Sequence, residues 1–148
     1  MPMSTQRDRD EGEVRRRLDM IVEGIRAKDA GILERVYAAD VVSFDVEPPL
    51  RHVGREAKMR NWAKVFTFFQ DVGYEMRDLT VAVDGDVAFA YCLARLSGTL
   101  QNGVATDGMW VRGTFCLRRT DGTWLVAHDQ ASVPFDLTTG RGVADLEP

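Results

Sequence analysis

Hydrophobic positions along this chain change period once, dividing it into a helical first half and a β-rich second half. Val14, Leu18, Ile21, Val22 and Ile25 recur at spacings of three and four, with Arg15, Arg16, Arg17, Asp19 and Glu23 mostly between them. That is the stripe of an amphipathic helix, and it runs out near Lys28. A shorter helix is predicted from about residue 29 to 38. Ile32, Leu33, Val36 and Tyr37 form its apolar face, and the Asp29 carboxylate can accept from the free amides of its first turn. Residues 41–45 read as a short strand. Pro49 then pushes Pro48 into an extended conformation, so residues 46–50 form a loop. Gly54 precedes a third helix, about residues 55–70, striped by Met59, Trp62, Val65, Phe66 and Phe69 and ended by Gly73.

Past Gly73 alternation replaces the helical period. Four strand-like runs, residues 74–83, 87–99, 104–119 and 123–135, are separated by Asp84-Gly85, Asn102-Gly103 and Asp121-Gly122. Turn pairs of this kind predict an antiparallel meander. In the last hairpin Trp110, Arg112, Thr114 and Cys116 share one face of the first arm. Met109, Val111, Gly113, Phe115 and Leu117 share the other. Strict alternation in the second arm sets Trp124, Val126, His128, Gln130 and Ser132 against Leu125, Ala127, Asp129 and Ala131. A register slip of one residue reverses these faces. Helices followed by strands give an α+β class: three N-terminal helices wrapped by a curved antiparallel sheet. Three helices do not fill the concave side of such a sheet, so a cone with a pocket is expected.

The 148 residues suffice for one domain with a core. Residues 1–12 lack periodicity and are expected to be a mobile tail, with a single domain at 13–136 and a loose polar tail at 137–148. Composition is 45% hydrophobic and 28% charged, with a net charge of −4 and no basic stripe, which speaks against nucleic acid. Apolar runs are too short to span a membrane, and the first residues have no apolar core like that of a secretory signal. Cys92 and Cys116 each sit in a predicted strand without a nearby histidine cluster. They read as reduced thiols of a cytoplasmic protein rather than as metal ligands. No phosphate-binding loop, Ser-His-Asp order or metal-spaced histidines occur, so neither metal nor cofactor is expected.

Several segments resemble the NTF2-like superfamily, in particular its SnoaL-like and ketosteroid-isomerase-like members. They are the opening helix, KDAGILERVYAADVVSFD, the loop PPLRHVGREA leading to Trp62, and the ending RRTDGTWLVAHDQASVPF. The resemblance covers about residues 13–136. It implies a cone whose interior takes a small, mostly apolar ligand and a homodimer formed through the outer sheet face. It also implies cofactor-free acid–base chemistry, of the isomerase, cyclase, dehydratase or hydrolase kind, in those members that are enzymes; others only bind or dimerise.

Asp45 stands where a ketosteroid isomerase carries its general base, after a short strand and before a proline loop. A loop Asp paired with Arg51 or Arg55 remains the alternative. His128, the only histidine on a predicted core strand, is the candidate acid or orienting partner, and fits equally well as a neutral imidazole bonded in the sheet or one facing solvent at a dimer contact. Arg112 aimed inward would stabilise an anion or pair with Asp45; aimed outward it is a surface strand arginine, and Arg95 shares that ambiguity. Tyr37, Phe44, Trp62, Phe66 and Trp110, with Thr114, are the candidate pocket walls, and Trp124 is expected against the first helix. Two departures matter. The opening helix has no tyrosine and residues 109–119 have no Asp or Glu, so the enolate donors of a steroid isomerase are missing. An Asp-plus-Arg pair is closer in kind to the epoxide hydrolases of this scaffold, where carboxylates flanking an arginine activate water.

Overall fold

The opening helix begins before its apolar stripe does. In a computed structural model that describes residues 5–148, α1 spans Gln6–Ala27. The Thr5 hydroxyl accepts from the Asp8 amide at 3.0 Å, and the Asp8 carboxylate accepts from the Thr5 amide at 3.3 Å, a reciprocal cap. The tail predicted over residues 1–12 is therefore helical from Gln6; residues 1–4 lie outside the described part. Val14, Leu18, Ile21 and Ile25 are fully buried, each contributing on the order of 1.5–3 kcal/mol. Lys28, in the left-handed region at φ 53°, ends the helix.

Asp29 caps α2 (Ala30–Glu34) by accepting from Gly31 and Ile32, but this helix is one turn long. The residues expected to continue it join β1 (Tyr37–Phe44), which follows almost at once. After the exposed proline loop come β2 (His52–Val53) and α3 (Arg55–Thr67). Gly73 does not terminate α3: β3 (Phe69–Asp84) already contains it, followed by β4 (Val87–Leu100), β5 (Met109–Thr120) and β6 (Thr123–Ser132). The polar tail is not loose throughout, because β7 (Phe135–Asp136) and β8 (Arg141–Gly142) form a small hairpin.

The meander from β3 to β6 is antiparallel, as predicted. The whole sheet is mixed, in the order β2-β1-β6-β5-β4-β3, because β1 runs parallel to β6. Register shifts interrupt β3–β4, β5–β6 and β1–β6, and bulges of this kind bend strands and raise twist. They curve the sheet around the helices. At Gly98 (φ 148°) the β3 and β4 backbones come so close that a Cβ would lie 2.2 Å from the Asp71 carbonyl oxygen.

One shift decides which side chains enter the cone. On β5, Cys116 and Leu117 are adjacent; their partners on β6, His128 and Val126, are not. Ala127 is the extra residue. Trp124 and Val126 point into the core, the bulge reverses the phase, and Asp129 takes the next inward position. His128, Gln130 and Ser132 pass to the outer face.

Candidate functional site

Across four strands, Ala90, Phe115, Asp129 and Ser43 form one inward-facing row. The neighbouring row, Cys92, Gly113 and Ala131, consists of small residues. Against this wall α3 brings Lys58 and, one turn on, Trp62. Lys58 sits on the same side of the helix as an apolar stripe, with its side chain only 4% exposed.

Its ammonium lies 2.7 Å from Asp45 Oδ1 and 3.2 Å from Asp129 Oδ2. Asn61 Nδ2 donates to Asp45 Oδ2 at 2.9 Å. The Tyr37 hydroxyl donates to Asp129 Oδ2 at 3.1 Å, and the Ser43 hydroxyl donates to Oδ1. His52 Nε2 lies 3.5 Å from Asp45 Oδ2, within ion-pair range but without a hydrogen bond. The Tyr37 and Trp62 rings flank the ammonium at 5.5 and 5.8 Å.

Burial works against the charge of Lys58. The charges of Asp129 and Asp45, with their hydrogen bonds, outweigh it and hold the ammonium above the ordinary lysine value. Burial, then the charge of Asp129, drives Tyr37 well above the ordinary phenol range, so Tyr37 is a donor here. Tyr74, edge-on to Trp62 at 6.5 Å, is raised by burial and by nearby Cys92 and Asp129. Burial pushes the Cys92 thiol up to about 11, which keeps it protonated and unreactive at neutral pH. Its sulfur faces inward and Cys116 faces outward, so these two thiols cannot pair within one chain.

The structure brings only some of the predicted site residues together. Asp45, Tyr37, Trp62 and Phe66 lie in or beside the cluster. Asp45 pairs with Lys58 rather than with Arg51 or Arg55; Arg55 donates to the Tyr37 carbonyl. His128 is not in the cone: its Nδ1 meets the Val42 carbonyl at 2.6 Å and its ring meets Phe44 edge-on at 4.7 Å, on the outer face. Arg112 is also outside, exposed, donating to Ser132. Phe44, Thr114 and Trp110 share that face, with Trp110 flanked by Arg77 at 4.7 Å and Arg95 at 5.9 Å. All five are corrections: the β6 bulge turns His128 outward, while on β5 it is the apolar face Val111, Phe115 and Leu117 that meets the core, leaving Trp110, Arg112 and Thr114 outside, in line with exposed Phe44. Trp124 packs in the core beside α1, whose Arg17 donates to its carbonyl.

Lys58, Asn61, Ser43 and Asp129 were not selected as site residues from sequence. A lysine four residues before Trp62 was the available signal for the first. Among the described residues no cluster of three or more His, Cys, Asp or Glu could hold a metal, and the centre of this cluster is filled by an ammonium. Two concavities on the surface, about 740 Å³ beside the β7–β8 hairpin and about 540 Å³ between α2 and α3, lie away from the cone.

A sequence profile of the SnoaL-like domain matches residues 14–136. The chain belongs to the SnoaL-like family. Among solved structures, this SnoaL-like chain is similar to an NTF2-like protein of unknown function from Pseudomonas putida KT2440. That match has 30% identity and a TM-score of 0.86, and covers 99% of this chain and 100% of the other. A candidate dehydratase of the NTF2-like family from Streptomyces avermitilis matches at 21% identity and TM-score 0.77, over 88% and 100%. A candidate calcium/calmodulin dependent protein kinase II association domain from Xanthomonas campestris matches at 21% and 0.73, over 84% and 88%. The last two share the fold. No match was found among curated proteins. No helix among the described residues of this SnoaL-like chain is long and apolar enough to cross a membrane.

Proposed function

We propose that this SnoaL-like chain binds a small, mostly apolar molecule inside its cone and acts on it by cofactor-free acid–base chemistry, with Asp45 as the base. The observation that carries the proposal is the buried Asp45–Lys58–Asp129 cluster, set beside Trp62, Tyr74 and a row of small residues. A carboxylate held by Lys58 and Asn61 in a largely dry setting has a fixed direction for proton abstraction. Asp129, which accepts from Tyr37, Ser43 and Lys58, holds the lysine in place. Two carboxylates flanking one cation recur here as in the epoxide-hydrolase analogy, with lysine instead of arginine. The S. avermitilis relative, a candidate dehydratase, is consistent with such chemistry on this fold.

The outer sheet face supplies the second part of the proposal, a homodimer. Phe89 and Tyr91 stack there at 6.5 Å and are half exposed, next to exposed Val87, on a face that runs across β5 and β6 to exposed Phe44. A second copy would cover this apolar area. Two free thiols, one of them buried, fit a reducing cytoplasmic setting.

Proton exchange at the carbon next to the carbonyl of 2-tetralone, followed by NMR in D2O, tests the catalytic part. The chain should accelerate exchange, and Asp45→Asn should reduce the acceleration by about 100-fold or more. Exchange no faster than in buffer would leave the second reading, a non-catalytic binding or dimerising module. One observation favours that reading: every carboxylate oxygen in the cluster already has a partner. The association-domain relative is a precedent only for the fold.

A further inference from the structure

We infer that the interior accepts an uncharged molecule bearing an acceptor oxygen, and that the indole N–H of Trp62, not the ammonium of Lys58, recognises it. The inference rests on the ligand-binding reading and specifies its substrate class.

Two carboxylates face one ammonium, so the cluster carries one negative charge in excess while His52 is neutral. With His52 protonated it only reaches neutrality. No protonation state of His52 gives the positive surplus that a carboxylate or phosphate ligand needs, and in a low-dielectric interior an excess negative charge repels such a ligand. Two of the three donors of Lys58 are committed to Asp45 and Asp129, and the ammonium is otherwise bounded by the Tyr37 and Trp62 rings.

Two buried nitrogens at the cluster lack a hydrogen-bond partner: His52 Nε2, which faces Asp45 Oδ2 at 3.5 Å, and Trp62 Nε1, which faces no carboxylate and is the donor left for a ligand. A buried N–H without an acceptor is costly and calls for an explanation. The ring is not free to seek one, because it stacks on Phe66 at 5.7 Å and meets Tyr74 edge-on. Trp124 Nε1 is also unpartnered, but that ring is 1% exposed in the core, capped by Arg119. Trp62 differs in lying against the ion cluster, and its ring, though not its N–H, is partly exposed. An acceptor oxygen on a ligand would satisfy its N–H, while the apolar body would lie against the row Cys92, Gly113 and Ala131.

Equilibrium dialysis with three probes of similar size tests this: 2-acetonaphthone (neutral acceptor), 2-naphthoate (anion) and 2-methylnaphthalene (no oxygen). The ketone should bind about tenfold or more tighter than the anion. Trp62→Phe should weaken the ketone by about tenfold and leave the hydrocarbon unchanged. Asp45→Asn, which removes one negative charge, should narrow the gap between ketone and anion. Anion binding equal to that of the ketone overturns the inference, as does equal weakening of ketone and hydrocarbon by Trp62→Phe, while the ligand-binding reading stands. Binding of none of the three removes that reading and this inference with it.

Discussion

Two regions of this chain are built from the same parts and do different things. In each, one cation bridges two carboxylates and rests against an aromatic ring. Lys58 joins Asp45 and Asp129 beside Trp62. Arg119 joins Asp10 at 2.7 Å and Asp86 at 2.9 Å, 4.9 Å from the Trp124 ring. The second cluster ties the start of α1 to the β3–β4 turn, where Arg119 also donates to the Gly85 carbonyl at 3.1 Å. Asp86 is 73% exposed, whereas each charged partner of Lys58 is at most 13% exposed. Water screens the Asp86 arm and leaves it a tether, while Asp10, 4% exposed, is as buried as the partners of Lys58. The interior cluster lacks that screening, so its charges act strongly on one another and on anything that enters.

The largest effect should follow from Lys58→Met. It strands two carboxylates and should cost about 3–5 kcal/mol in urea unfolding, part of which Asp129→Asn restores in the double variant. A cost no larger than that of a surface pair would make the two clusters equivalent. Alkaline pH has the next largest effect. Lys58, Tyr37, Tyr74 and Cys92 all have folded-state pKa values above their ordinary ones, Cys92 moving from 9.0 to about 11. The folded state holds these protons longer than the unfolded chain, so the stability they contribute is complete below pH 9 and is lost as pH rises through 9 to 11 and beyond. Melting temperatures measured from pH 7 to 11 should fall steeply above 9; a flat profile contradicts the assignment. Tyr91→Glu on the outer face should shift light-scattering mass toward the monomer and leave probe binding inside the cone intact. The smallest effect belongs to Asp86→Ala, which breaks one arm of the exposed clasp and should barely move the melting temperature.

The difference between the clusters also marks how far the sequence was legible. The α1 stripe, the Asp29 cap and the Asp-Gly turns are local signals, and they led correctly to the first helix and the meander; the family followed from the resemblance of whole segments, the ending at residues 118–135 above all. Asp45 entered through the resemblance to ketosteroid isomerases, whose general base stands between a short strand and a proline loop, and the structure places it against Lys58. The placement of His128 was not legible, because it depends on a bulge at Ala127, a residue with no turn or bulge signature. Without that bulge, His128 would continue the inward row of Trp124 and Val126, and Asp129 would face outward. Arg112, Trp110 and Thr114 lie outside for a different reason: β5 alternates without a break, and its other face, Val111, Gly113, Phe115 and Leu117, is the one that meets the core. Lys58 was hidden differently: a lysine beside an apolar stripe reads as a helix edge until long-range pairing of β1 with β6 brings Asp45 and Asp129 to it.

The three tryptophans separate the alternatives in one experiment. Each gives one indole N–H signal in a proton–nitrogen correlation spectrum, and Trp62, Trp110 and Trp124 report respectively on the cone, the outer face and the core. On titration with 2-acetonaphthone, the Trp62 signal should move downfield while Trp110 and Trp124 stay in place. A stationary Trp62 signal, or movement confined to Trp110, would contradict an interior site at the Lys58 cluster.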